Sequence, residues 1–119
     1  MSRDPGLFLQ DIQDSCDKIR LLTAGLDFTE FTEEWRVRDA VLHNLGVIGR
    51  AAKRVPEPMR ALQPEIPWSH LAGFQEVLAH TYFCLDDVIV WDVIQHQLQP
   101  LQEAALALLA TLDAPGPAK

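Results

Sequence analysis

Long hydrophobic runs are missing from this chain: no apolar stretch reaches the roughly 20 residues needed to span a bilayer. The opening MSRDPGLFLQ lacks the uninterrupted apolar core of a signal peptide. Both point to a cytoplasmic protein with no membrane contact. Cysteine is scarce as well. Cys16 and Cys84 stand far apart, which leaves neither a disulfide framework nor a Cys-x-x-Cys metal knuckle and suits reduced thiols. There is no glycine-rich phosphate loop, no Asn-Gly hairpin signal and no alternating strand pattern. A strongly basic balance is absent too, the net charge being -7.

What is present is helical periodicity. Apolar residues supply 48% and charged residues 23% of the 119 positions, a globular composition with enough material for one core. Asp4 and Pro5 open a first helix with a capping carboxylate and a proline at its start, and Phe8, Ile12, Cys16, Ile19, Leu22 and Leu26 follow at steps of three and four. That helix is expected to end near Gly25. DFTEFTEEW then suggests a single turn, and a second long helix is predicted over 32–55 on the stripe Val41, Leu45, Ile48, Ala52 and Val55. Pro56 and Pro58 stop it, with room for one short turn before Pro64 and Pro67.

A third helix begins at Pro67, turns Leu71, Phe74 and Leu78 inward, and runs toward His80. Asp86 or Asp87 caps a fourth, whose stripe is Trp91, Ile94, Leu98, Leu101, Ala105, Leu108 and Leu112. Pro100 should kink or split it. The expected fold is all-α: an up-down antiparallel bundle of four to five main helices, one domain over 1–112 with a flexible tail over 113–119. Trp35, Trp68 and Trp91 are assigned to core packing. Gly46 and Gly49, inside a stripe, suit close helix contact.

Charge is unevenly placed. Residues 36–60 hold six of the ten basic residues (Arg36, Arg38, Arg50, Lys53, Arg54, Arg60) against Asp39 and Glu57, a local +4 on a remainder of -11. Such a strip can touch nucleic acid or an acidic partner, or it can be a solvated helix face with cations near a C-terminus.

The chemistry-bearing stretch is LAGFQEVLAHTYFCLDD, 71–87. Imidazole titrates near neutral pH and serves as acid or base, and a phenol can donate to phosphate or accept a transferred group. His80 and Tyr82, two apart, share one site only where a helix ends or where a second subunit completes it. The alternative is a pair of polar side chains satisfied at a helix terminus. His80 and Cys84, four apart, have the spacing of a thiol–imidazole dyad, but no oxyanion hole or orienting group is identifiable nearby, so Cys84 reads instead as a cysteine packed as a small apolar residue. His43, His70, His80 and His96 lack the spacing of a helical zinc site.

RDPGLFLQDI, RDAVLHNLGVIGRAAKRVPEPMR, PEIPWSHLAGFQEVLAHTYF and DDVIVWDVIQHQLQPL together resemble the HepT-like family of HEPN-domain proteins over about residues 3–112. The resemblance implies a helical bundle that forms a homodimer with its active cleft at the interface. It implies a metal-independent RNA endonuclease acting on tRNA or mRNA without a cofactor. It further implies a toxin paired with an MntA-like nucleotidyltransferase antitoxin, which silences it by moving AMP onto the motif tyrosine.

By that resemblance HTY places the motif histidine at His80 and the modified tyrosine at Tyr82. The family's motif arginine falls on Gln75, in GFQEVLAHTYF. HNLGVIGRA sets Gly46 and Arg50 where glutamates are common in the family. Arg50, Lys53 and Arg54 are then candidate phosphate-binding cations, Arg50 standing in for the missing arginine. Without that arginine the alternative is a catalytically weakened homodimer that binds the nucleotidyltransferase, RNA or a nucleotide.

Overall fold

The computed structural model describes residues 4–73 and 86–113. They form helices α1 (Pro5–Thr23), α2 (Phe28–Glu33), α3 (Trp35–Arg54), α4 (Glu57–Arg60), α5 (68–73 as described), α6 (Asp87–His96) and α7 (Leu98–Asp113). No strand occurs among the described residues, and the fold is all-α and HEPN-like.

Each boundary has a local cause. The Asp4 carboxylate accepts from the Gly6 N–H at 2.9 Å, and Pro5 follows at the first position of α1, as its sequence requires. α1 stops at Thr23, two residues earlier than expected. Ala24 leaves helical geometry, and Gly25 takes a left-handed φ of 78° that side-chain-bearing residues avoid.

The second long helix does not start at residue 32. Asp27 and Glu30 form a reciprocal capping box, Glu30 N to Asp27 Oδ1 at 2.8 Å and Asp27 N to Glu30 Oε1 at 3.0 Å, which starts α2 as an independent element. Glu34, at φ -98° and ψ 89°, then breaks the chain, and α3 begins at Trp35. Pro58 lies at the second position of α4, where its missing N–H costs nothing. The expected split in the last helix is present. It falls at Gln97, and Pro100 sits in the first turn of α7 with no N–H to carry a continuous helix.

α1 packs on both α3 and α7, α2 lies on α3, and α6 abuts α7. The core takes Leu9, Ile12, Cys16 and Ile19 from α1 and every predicted α3 position, Val41, Leu45, Ile48, Ala52 and the following Val55. From α6 and α7 it takes Val90, Val93, Ile94, Leu98, Leu101, Ala105 and Leu108. Each large aliphatic removed from water here contributes on the order of 1.5–3 kcal/mol.

Two expectations about this core fail. Leu112 is 44% exposed, although its side chain lies beside Gly6 in the first turn of α1. Trp35 is 63% exposed, since the break at Glu34 puts it on the outward side of the first turn of α3, where the Arg36 guanidinium lies 5.3 Å from its ring centroid. Trp68 is buried and Trp91 half-buried, as expected. Polar groups in the seam are partnered: Gln13 donates to the Gln102 carbonyl at 2.7 Å, and Gln102 bridges Arg20 and Asp17 on the same face of α1.

Candidate functional site

Gln75, His80, Tyr82 and Cys84, with the inward positions Phe74 and Leu78, lie outside the described residues. The two ends of the stretch that carries them do not. On the entry side α5 is rooted in the core by Trp68 and Leu71. The indole Nε1 of Trp68 donates to the Gln63 carbonyl at 3.0 Å, and the Leu71 N–H donates to the Pro67 carbonyl at 3.0 Å. Pro67 thus supplies the first helical acceptor at the place where the sequence suggested a start.

On the exit side Asp86 caps α6, accepting from the Val88 N–H at 2.8 Å. Asp87 instead accepts from Arg38 Nε of α3 at 2.5 Å, with 18% of the arginine and 26% of the aspartate side chain exposed. One turn later Trp91 packs at 5.2 Å on Phe31 and edge-on at 6.2 Å on Phe28, both from α2.

The basic strip does not act as one surface. Arg36 stacks on Trp35 and Arg38 is engaged by Asp87, both at the start of α3. Arg50, Lys53 and Arg54 lie about 20 Å away along the same helix, by its rise of 1.5 Å per residue. All three are exposed and spaced by three and four residues, so they share one outward face. Cations in the last turns are favoured by the helix dipole, and three on one face make a point of attraction for phosphates on an otherwise acidic molecule. Gly46 is half-buried and Gly49 buried on α3, consistent with the small-residue positions read from the sequence.

The remaining candidates separate cleanly. Cys16 is fully buried, and desolvation, helped by the neighbouring Asp17 charge, pushes its thiol from 9.0 up to about 12, which leaves it without a nucleophilic thiolate. His43, His70 and His96 are exposed, and His96 lies 3.7 Å from Asp92 in the next turn. Among the described residues no three His, Cys, Asp or Glu side chains converge on a point that could hold a metal ion. An open depression of about 260 Å³ between the end of α1 and the α6–α7 junction is lined by residues including Arg20, Thr23, Ile94 and Gln99; it offers no general base, and its one hydroxyl, Thr23, donates to the Ile19 carbonyl.

The sequence model described as "Ribonuclease HepT-like" matches residues 12–108. The chain belongs to the HepT-like ribonuclease family. Among its relatives is "Putative RNase MJ0125" of Methanocaldococcus jannaschii, 32% identical over 111 residues, covering 93% of this chain and 96% of the relative. Another is "Probable ribonuclease HepT" of Thermococcus cleftensis, 30% identical over 102 residues, 86% of this chain and 93% of the relative. No solved structure matches at a significant level.

Within this HepT-like chain, sequence reasoning missed the Arg38–Asp87 contact, treating Arg38 as part of a solvated strip and Asp87 as an alternative cap. Its partners are 49 residues apart, and no periodicity announces a pairing of that kind.

Proposed function

We propose that the chain is a metal-independent endoribonuclease of the HepT type that cleaves tRNA or mRNA, in the cytoplasm, as a homodimer. The family match over residues 12–108, which includes His80–Thr81–Tyr82, carries this reading. The 2′-oxygen of a ribose attacks the adjacent phosphorus as its proton passes to His80. The bond to the 5′-oxygen breaks, and that oxygen leaves with a proton as a hydroxyl. Charge building on the phosphoryl oxygens needs cations, and Arg50, Lys53 and Arg54 on the outward face of α3 are the supply this chain offers.

The partner is an MntA-like nucleotidyltransferase acting as antitoxin. In its reaction the Tyr82 phenolic oxygen attacks the α-phosphorus of ATP, the bond to the bridging oxygen breaks, and pyrophosphate leaves while the phenol proton is lost. The added negative charge repels RNA phosphates.

Gln75 supports a second reading, a homodimer that binds RNA or the nucleotidyltransferase but cleaves weakly. A neutral amide replaces the family's guanidinium, and losing a charge-assisted phosphate contact costs roughly a few kcal/mol. Purified protein incubated with tRNA and mRNA, beside His80→Ala, decides between them. Cleavage abolished by His80→Ala supports the nuclease. Absence of cleavage together with retained RNA binding supports the second reading.

A further inference from the structure

The six basic residues of 36–60 are of two kinds. Arg36 stacks on Trp35 and Arg38 meets Asp87, whereas Arg50, Lys53, Arg54 and Arg60 pair with no carboxylate among the described residues, on a chain that carries 17 acids. Glu57 is the one acid within 50–60. Arg60 differs from the other three. They are exposed, but Arg60 is half-buried at the end of α4, and its Nε is shut off from solvent with no acceptor. The two Nη atoms of the same guanidinium are not enclosed in this way and meet no acceptor either. Even Glu57, one turn back on α4 and exposed, leaves it unpaired. A buried N–H that has given up water without gaining a partner works against folding. An arginine ordinarily buries only its aliphatic stem and keeps the whole charged head in water. Here Nε is drawn in with the stem, so the Nη atoms form a fork on a fixed base. Such a fork matches two oxygens of a phosphate, and seating a phosphate on it freezes less side-chain motion than at a free arginine.

We infer that Arg60 is a phosphate-binding residue which, with Arg54, forms a site at the α3–α4 junction for the backbone phosphates of single-stranded RNA. Only Val55 and Pro56 separate the two helices, and the Arg60 N–H donates to the Pro56 carbonyl at 3.1 Å, so the Cα atoms of Arg54 and Arg60 lie within about 14 Å of each other. Both side chains can serve one strand at that separation. Charge complementarity selects the ligand: four cations against one acid make this end of an acidic molecule the place where a polyanion is drawn in. The choice of RNA rests on the ribonuclease reading; the phosphate site itself does not. Arg60 takes no part in bond making in this account, and its task is to hold the strand.

Fluorescence anisotropy with a labelled single-stranded RNA across a salt series, together with thermal unfolding of the ligand-free protein, tests this on the full chain as wild type, Arg60→Met and Arg60→Lys. Methionine follows the arginine stem out to the position of Nε and removes both the charge and the orphaned N–H. Arg60→Met should bind RNA about tenfold more weakly and lower the slope of log affinity against log salt by about 0.7. Its Tm without ligand should nevertheless rise by about 4 °C, because an apolar group replaces an unsatisfied donor. Arg60→Lys should keep the wild-type salt slope and lose a few-fold in affinity, since the charge stays and the fork goes. Inorganic phosphate, at one fixed concentration, should raise the Tm of wild type more than that of Arg60→Met. RNA binding by Arg60→Met equal to wild type would overturn the inference, and a phosphate difference persisting beside it would mean that the site takes free phosphate instead. A Tm lowered by Arg60→Met would mark a packing residue and overturn it as well. Should wild type bind no RNA, the ribonuclease reading falls and the RNA assignment with it; equal phosphate shifts in wild type and Arg60→Met would then end the anion site too, and a larger shift in wild type would uphold it.

Discussion

Replacing Phe31 by alanine should release α2 from the bundle. This helix has six residues, too few to persist in water by itself, and Phe31 is its one buried side chain. The ring is fully buried and stacks at 5.2 Å on Trp91. Truncating a buried phenylalanine to alanine costs about 3–5 kcal/mol in transfer and cavity terms. Unfolding a 119-residue chain carries an entropy of about 0.25 kcal/mol/K, so a loss of about 4 kcal/mol lowers Tm by about 16 °C. Urea unfolding followed by circular dichroism would measure this, with near-ultraviolet signals reporting the freed Trp91. Phe31→Leu, which keeps most of the volume, should lose less than half as much. A Phe31→Ala protein within about 1 kcal/mol of wild type, at unchanged m-value, would refute the claim that this ring anchors α2.

Gln75→Arg should raise RNA cleavage by about two to three orders of magnitude if a missing phosphate cation limits the reaction, read as initial rates on one RNA. An unchanged rate would show that another group, such as Arg50, already supplies that charge. Removing Arg50, Lys53 and Arg54 together should weaken single-stranded RNA binding and lower the slope of log affinity against log salt by about two, measured by fluorescence anisotropy. Cys16 makes stability fall with alkali. Its thiol stays protonated in the fold until about 12 but ionises near 9.0 when unfolded, so its contribution is intact below that lower value and is lost as pH rises toward the upper one. At pH 10 the loss should be about 1.4 kcal/mol, present in wild type and missing from Cys16→Ala when the two are compared by urea unfolding at pH 8 and pH 10.

Interactions between near neighbours were legible. Asp4 and Pro5 announce α1 because a cap and its helix lie within three residues, and the α3 stripe is buried at all five predicted positions because a helix repeats every 3.6 residues wherever it packs. The start of α3 was misplaced although its cause is also local: Asp27 and Glu30 match a capping box, but the threonines around them offered competing caps. Trp35 shows a different limit. A large aromatic ring at a helix start is core or surface according to the direction of that first turn, and one non-helical residue, Glu34, set it.

Composition, periodicity and capping chemistry were thus enough to determine an all-α chain and most of the buried stripe of α1, α3, α6 and α7, since these follow from contacts within a few residues. HTY and the departure at Gln75 were also open to direct reading, because they are matters of residue type and order. Only the tertiary structure could decide that Arg38 meets Asp87, that Gln102 ties together three side chains of α1, and that Trp91 rests on α2. Such contacts join residues tens of positions apart, and which of many equally plausible charges and rings meet is fixed by how the helices pack, a property of the whole bundle.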